Sequence, residues 1–126
     1  MKERKNLPES ELDIMLVIWN GGGSMAAPDI LEALDKRLTF SALHSYLRRL
    51  VEKGFLRQYK MGRVNCYTSL ISEEEYRRQA GGSVLDKLYN GSIKTFAAAL
   101  WDGGKLSRED ISELQEYLKG LERGDA

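Results

Sequence analysis

Ser41, His44, Ser45 and Arg48 follow one another at spacings of three, one and three. They interleave with Leu43, Leu47, Leu50 and Val51, which repeat at four, three and one. On a helix, that pattern puts hydroxyl, imidazole and guanidinium groups on one side and a leucine stripe on the other. A face of this kind donates and accepts hydrogen bonds, the chemistry of base edges and phosphates rather than of bond cleavage. The surrounding charge agrees. Residues 36–63 hold eight basic groups (Lys36, Arg37, Arg48, Arg49, Lys53, Arg57, Lys60 and Arg63) against Glu52 alone, a local net of +7. The flanking stretches carry −4 and −3, so the zero net charge of the 126-residue chain conceals one concentrated basic patch. Such a patch governs attraction to phosphate more than the overall balance does.

The residues for other chemistries are missing. One histidine and one cysteine, Cys66, supply neither a Cys–His pair plus orienting group nor a multi-histidine metal site. No Gly-x-Ser-x-Gly elbow occurs, and Gly21-Gly22-Gly23 is not followed by the Gly-Lys-Ser/Thr of a phosphate loop. Glu109-Asp110 lies at a helix start, where capping accounts for it. We therefore expect no enzyme activity, no metal and no cofactor. A lone cysteine without a secretory signal points to the cytoplasm. No apolar run reaches the roughly 18–20 residues of a membrane span, so no membrane insertion is expected.

The elements that must position the polar face follow from periodicity and punctuation. A first helix is expected over Glu9–Trp19, opened by a Ser10/Asp13 capping pair and stopped by Asn20-Gly21-Gly22-Gly23. Ser24-Met25-Ala26 reads as a short edge strand, and Pro28 suits the first turn of a second helix. Thr39 is the expected N-cap of a third helix, Phe40–Lys53, ended by Gly54. Phe55–Met61, a tight Gly62-Arg63 turn and Val64–Ser69 form a hairpin with a basic tip, across which Tyr59 and Tyr67 either pack or reach a nucleic-acid backbone. Ser72-Glu73-Glu74-Glu75 opens a helix to about Tyr89, with a bend or break expected at Gly81-Gly82. Ser92 and Ser107 open two more.

Three helices and a basic hairpin, in that order, describe a winged helix-turn-helix. The expected fold is mainly α: a winged-helix domain over residues 1–70, then a three-helix dimerisation domain over 71–126. The candidate DNA-binding residues are Ser41, Ala42, His44, Ser45, Arg48 and Arg49 on the third helix, with Lys36, Arg37, Lys60 and Arg63 toward phosphates. The C-terminal helices carry more apolar surface than three short helices bury alone. Leu85, Leu88, Phe96, Leu100, Trp101, Ile111, Leu114 and Leu118 are the expected homodimer interface, whose two-fold symmetry suits a palindromic operator in double-stranded DNA.

The stretch from Leu38 through Leu56 resembles the recognition-helix region of the penicillinase repressor family, which includes methicillin-resistance and copper-operon repressors. Ser10–Met15 through Trp19, Lys60-Met61-Gly62-Arg63, Leu70–Tyr76, Leu88–Ser92 and Leu106–Ile111 match its pattern in order along almost the whole chain. The resemblance implies a homodimeric bacterial repressor. In the resistance branch it also implies release through a membrane metalloprotease sensor system that triggers cleavage in the C-terminal domain. The corresponding segment here is Ala98-Ala99-Leu100-Trp101, with Ala99-Leu100 in place of the family's Asn-Phe bond. The copper branch uses a C-terminal cysteine cluster, which Leu118–Ala126 lacks. Ala42 and Ser45 stand where family members often have threonines, and His44 is unusual there, so a different operator is implied. Two other readings fit a winged helix: a ligand-responsive regulator of another family, and a protein–protein interaction module, although the latter leaves the +7 segment unused.

Overall fold

The computed structural model describes residues 6–35 and 37–124. Their order is α1 (Glu9–Asn20), β1 (Ser24–Ala26), α2 (Ala27–Ala33), α3 (Phe40–Glu52), β2 (Leu56–Met61), β3 (Val64–Ser69), α4 (Glu73–Tyr89), α5 (Ile93–Asp102) and α6 (Arg108–Arg123). This is the expected mainly helical, winged-helix architecture.

The chain divides into two units between Gly81 and Gly82, inside α4, where sequence reading placed the boundary at residue 70. Tyr76 explains the longer first unit. Its ring lies 5.7 Å from Trp19 and 5.8 Å from Phe55, and its hydroxyl accepts the Leu7 N–H at 2.7 Å. The first turns of α4 thereby complete the winged-helix core. Ile14, Met15 and Ile18 of α1, Ile30 of α2 and Leu43, Leu47 and Leu50 of α3 are all fully buried there, over Phe55, Leu56 and Tyr67. A glycine inside a helix costs roughly 1 kcal/mol relative to alanine, yet α4 runs through Gly81-Gly82 without interruption.

The sheet is antiparallel in the order β1-β3-β2, so β1 is an edge strand as expected. Pairing of Met61 with Val64 leaves Gly62-Arg63 as a two-residue loop. Gly62 sits at φ +64°, and Asp35 and Asn90 are the only non-glycines at positive φ among the described residues, so Arg63 is not strained. Glycine first in a two-residue loop is the type II′ preference, which matches the twist of the two strands. The Ser24 hydroxyl and the Tyr59 phenol meet at 2.6 Å, fastening β2 to β1 across the central strand. Trp19 Nε1 donates to Ser69 Oγ (3.0 Å) and to the Ile71 carbonyl (2.9 Å), tying α1 to the end of β3.

The start of α1 departs from the sequence reading. Pro8 occupies the N-cap and no side chain caps the helix, so Ser10 and Asp13 form no capping pair. Proline's fixed φ and missing N–H make it a serviceable entry without one. Thr39, Ser92 and Ser107 cap α3, α5 and α6 as expected.

The second unit has a different character. No described residue after Tyr76 is buried. Tyr89 and Phe96 stack at 4.8 Å, but Leu88 is 73% exposed and Ile93 67%. Trp101, Leu114, Tyr117, Leu118 and Leu121 are all exposed. An open, largely apolar groove of about 390 Å³ runs between α5 and α6, past Ala97, Trp101, Ile111, Leu114 and Leu118. Among the described residues, no helix is long and apolar enough to cross a membrane.

Candidate nucleic-acid interface

The site is built on α3. Thr39, extended at φ −74° and ψ 159°, stops the chain from entering the helix early, and its Oγ1 accepts the Ala42 N–H at 3.1 Å. That fixes where the helix begins and therefore which residues share a face. With Leu43, Leu47 and Leu50 inward at zero exposure, Ser41, Ser45, Arg48 and Arg49 are exposed, while Ala42 and His44 are partly buried. The imidazole of His44 stands edge-to-face with Phe40, centroids 4.3 Å apart. The Arg49 guanidinium lies 5.5 Å from the Tyr46 ring centroid, an arrangement that steadies the charge without neutralising it.

The expected basic residues do not all stand free. Lys53 donates to Glu11 Oε1 at 2.6 Å, and Glu11 is 2% exposed, so this cation is spent tying α3 to α1. Arg37 is exposed, and its Nε donates to the Leu34 carbonyl at 2.9 Å. Arg57 lies 5.7 Å from the Tyr59 ring centroid. Lys60 and Arg63 are exposed at the hairpin tip. Lys36 lies outside the described residues.

Between α3 and the hairpin is a polar groove of about 420 Å³, lined by His44, Arg48, Val51 and Glu52 on one wall and Gln58, Asn65 and Tyr67 on the other. Asn65 and Tyr67 share a face because side chains alternate along a strand. Tyr67 is 3% exposed and belongs to the core, and burial raises the pKa of its hydroxyl. It therefore packs across the hairpin. The Asn65 amide oxygen is buried and has no hydrogen-bond partner among the described residues. Neither Gln58 nor Asn65 stood out in the sequence, because short polar residues in a strand carry no periodic signal. Phe40 was missed because an aromatic at a helix start reads as core, yet it is 54% exposed.

The other predicted residues fall in the second unit. Leu88, Trp101, Leu114 and Leu118 are exposed, and Leu85, Phe96, Leu100 and Ile111 are half-buried. Ala99 and Leu100 both lie within α5, Ala99 exposed.

Comparison with known proteins agrees with this arrangement. The chain is 33% identical over 121 residues to a penicillinase repressor of Bacillus licheniformis, covering 94% of each. A solution structure of the DNA-binding domain of the repressor BlaI matches 60% of this chain and 94% of its own, at 33% identity and a TM-score of 0.52. So does a solution structure of the monomeric form of Bacillus licheniformis BlaI in complex with the blaP half-operator, at 33% identity, the same coverage and a TM-score of 0.50. Residues 7–120 match the penicillinase repressor family, and the chain belongs to that family of winged-helix, DNA-binding transcriptional repressors, which are not enzymes.

Proposed function

We propose that this protein is a cytoplasmic repressor that binds a palindromic operator as a homodimer, with α3 of each subunit in the major groove and the β2–β3 wing on the flanking backbone. The observation that carries the reading is the outer face of α3. Its exposed side chains are short or cationic, set over three fully buried leucines and followed by a hairpin whose tip carries Lys60 and Arg63. The major groove, about 12 Å wide, admits one helix of this kind. The strand that separates the two grooves then passes along the cleft between α3 and the wing. Arg48, Gln58 and Asn65 line that cleft. The half-operator complex of BlaI supports the same partner.

Dimerisation is assigned to the second unit, from Gly82 onward, because a unit with no buried residue among those described needs a second copy to cover Trp101, Leu114 and Leu118. Release is assigned to cleavage at Ala99–Leu100 under a membrane metalloprotease sensor system. This rests on the family resemblance and on the place of the bond in the same unit. Both residues are helical, so α5 must unwind locally before a protease can hold the segment extended.

The test is the salt dependence of DNA binding. Every phosphate that Lys60→Ala/Arg63→Ala leaves without its cation, counted over both subunits, is expected to lower the slope of log K against log salt by roughly 0.9. An unchanged slope would remove the wing from the interface.

A further inference from the structure

Phe40 is the first residue of α3, and the recognition helix of a helix-turn-helix meets base edges mainly with its N-terminal residues. Phe40 is 54% exposed, and Ser41, Ser45 and Arg48 of the same helix are exposed as well. The large exposed apolar residues of the second unit face a proposed partner subunit, an explanation that does not reach Phe40. The ring is also held in place. His44, one turn along the same face, meets it at 4.3 Å with the planes at 66°, so little side-chain freedom remains to be lost on binding. Ser41 and Ser45 are too short to hold the helix away from a groove floor. An oriented, half-exposed aromatic at the leading end of such a helix matches one feature of the major groove, the C5 methyl group of thymine, the apolar mark that separates A·T from G·C.

We propose that Phe40, steadied by His44, reads a thymine methyl group in each half-site and is a specificity-determining residue of this repressor. The proposal rests on the operator reading above and adds a base and an atom to it. Burying one methyl group is worth about fourfold in affinity, and two symmetric half-sites about fifteenfold.

The experiment begins with selection of a binding sequence from randomised palindromic DNA by the full chain. Each thymine of the selected sequence is then replaced in turn, in both half-sites, by deoxyuracil, which lacks only the methyl group. For the parent protein, one position should lose about fifteenfold. Phe40→Ala should bind the thymine and uracil forms of that position equally, and Phe40→Leu should keep most of the penalty because it remains apolar. Phe40 is exposed, so unchanged melting of both variants is expected and is checked alongside. If uracil costs parent and Phe40→Ala the same at every position, or costs the parent nothing anywhere, Phe40 does not read thymine while the operator reading stands. If no sequence is enriched at all, the operator reading falls and takes this proposal with it.

Discussion

Lys53 belongs by charge to the basic segment and by geometry to the core, and its replacement separates the two roles. Its Nζ lies 2.6 Å from Glu11 Oε1, with side-chain exposures of 40% and 3%. At an effective dielectric of about 20, the bare attraction at that distance is about 6 kcal/mol. Desolvating the two ions consumes most of it. Lys53→Met forfeits the attraction but leaves the Glu11 carboxylate in the protein. Removing one partner of a buried ion pair typically costs about 3–5 kcal/mol, and water entering by the half-open lysine path lowers that. We expect Lys53→Met to lose about 2–3 kcal/mol and roughly 10–20 °C in the melting of the winged-helix unit. Glu11→Leu/Lys53→Met should recover to within about 1 kcal/mol of the parent, because an apolar pair needs no compensation. The double variant leaves the net charge of the chain unchanged and removes no cation that is free to meet phosphate, so it should bind DNA with the parent's salt slope. The reasoning is refuted if Lys53→Met melts at the parent's temperature while the double variant loses roughly 0.9 in salt slope per subunit. Lys53 would then be a phosphate ligand and Glu11 indifferent to it.

Two further outcomes follow from the second unit. Leu114→Glu/Leu118→Glu places charges on the apolar groove face of α6 and should weaken self-association by about 3 kcal/mol or more, at least a hundredfold by sedimentation, while the winged-helix unit stays folded; an unshifted dimer would move the interface elsewhere. Asp110 closes the capping box of α6. The Ser107 backbone N–H donates to its carboxylate at 2.9 Å, and this bond, with a further one from the Ser107 side chain, lowers its pKa below the ordinary 3.8. A lowered folded-state value means that this stabilisation is complete above 3.8 and is lost as the pH falls through the lowered value. Asp110→Ala should therefore lower the melting temperature of α6 at pH 6 and have progressively less effect as the pH is taken below 3.8; an equal loss at every pH would show that the carboxylate's charge is not what caps the helix.

What the sequence disclosed was local. Thr39 before a leucine repeat, and Gly62 between two strand-forming runs, each fix an element by backbone chemistry within a few residues. Both elements stand where expected, and with them the exposure of Ser41, Ser45, Arg48, Lys60 and Arg63. What stayed hidden depended on distant partners. Glu11 and Lys53 are 42 positions apart, and nothing in either neighbourhood announces that one will bury itself and engage the other. Tyr76 and Leu7 are 69 apart, and their hydrogen bond belongs to a core that sequence reading ended at residue 70. Gly81-Gly82 marks where the two units divide rather than where the helix ends. Phe40 carried no signal beyond its place at the start of a helix, and that place leaves it 54% exposed.

The central claim is that the outer face of α3 reads base sequence. The most direct measurement is binding selection against randomised half-sites by the parent, Ser45→Ala and Arg48→Ala. Each variant is predicted to lose discrimination at its own operator position, by about 1–3 kcal/mol where a base contact is removed, with preferences elsewhere unchanged. If both variants keep the parent's preferences at every position and merely bind more weakly, α3 positions the protein without reading the bases, and specificity comes from DNA shape.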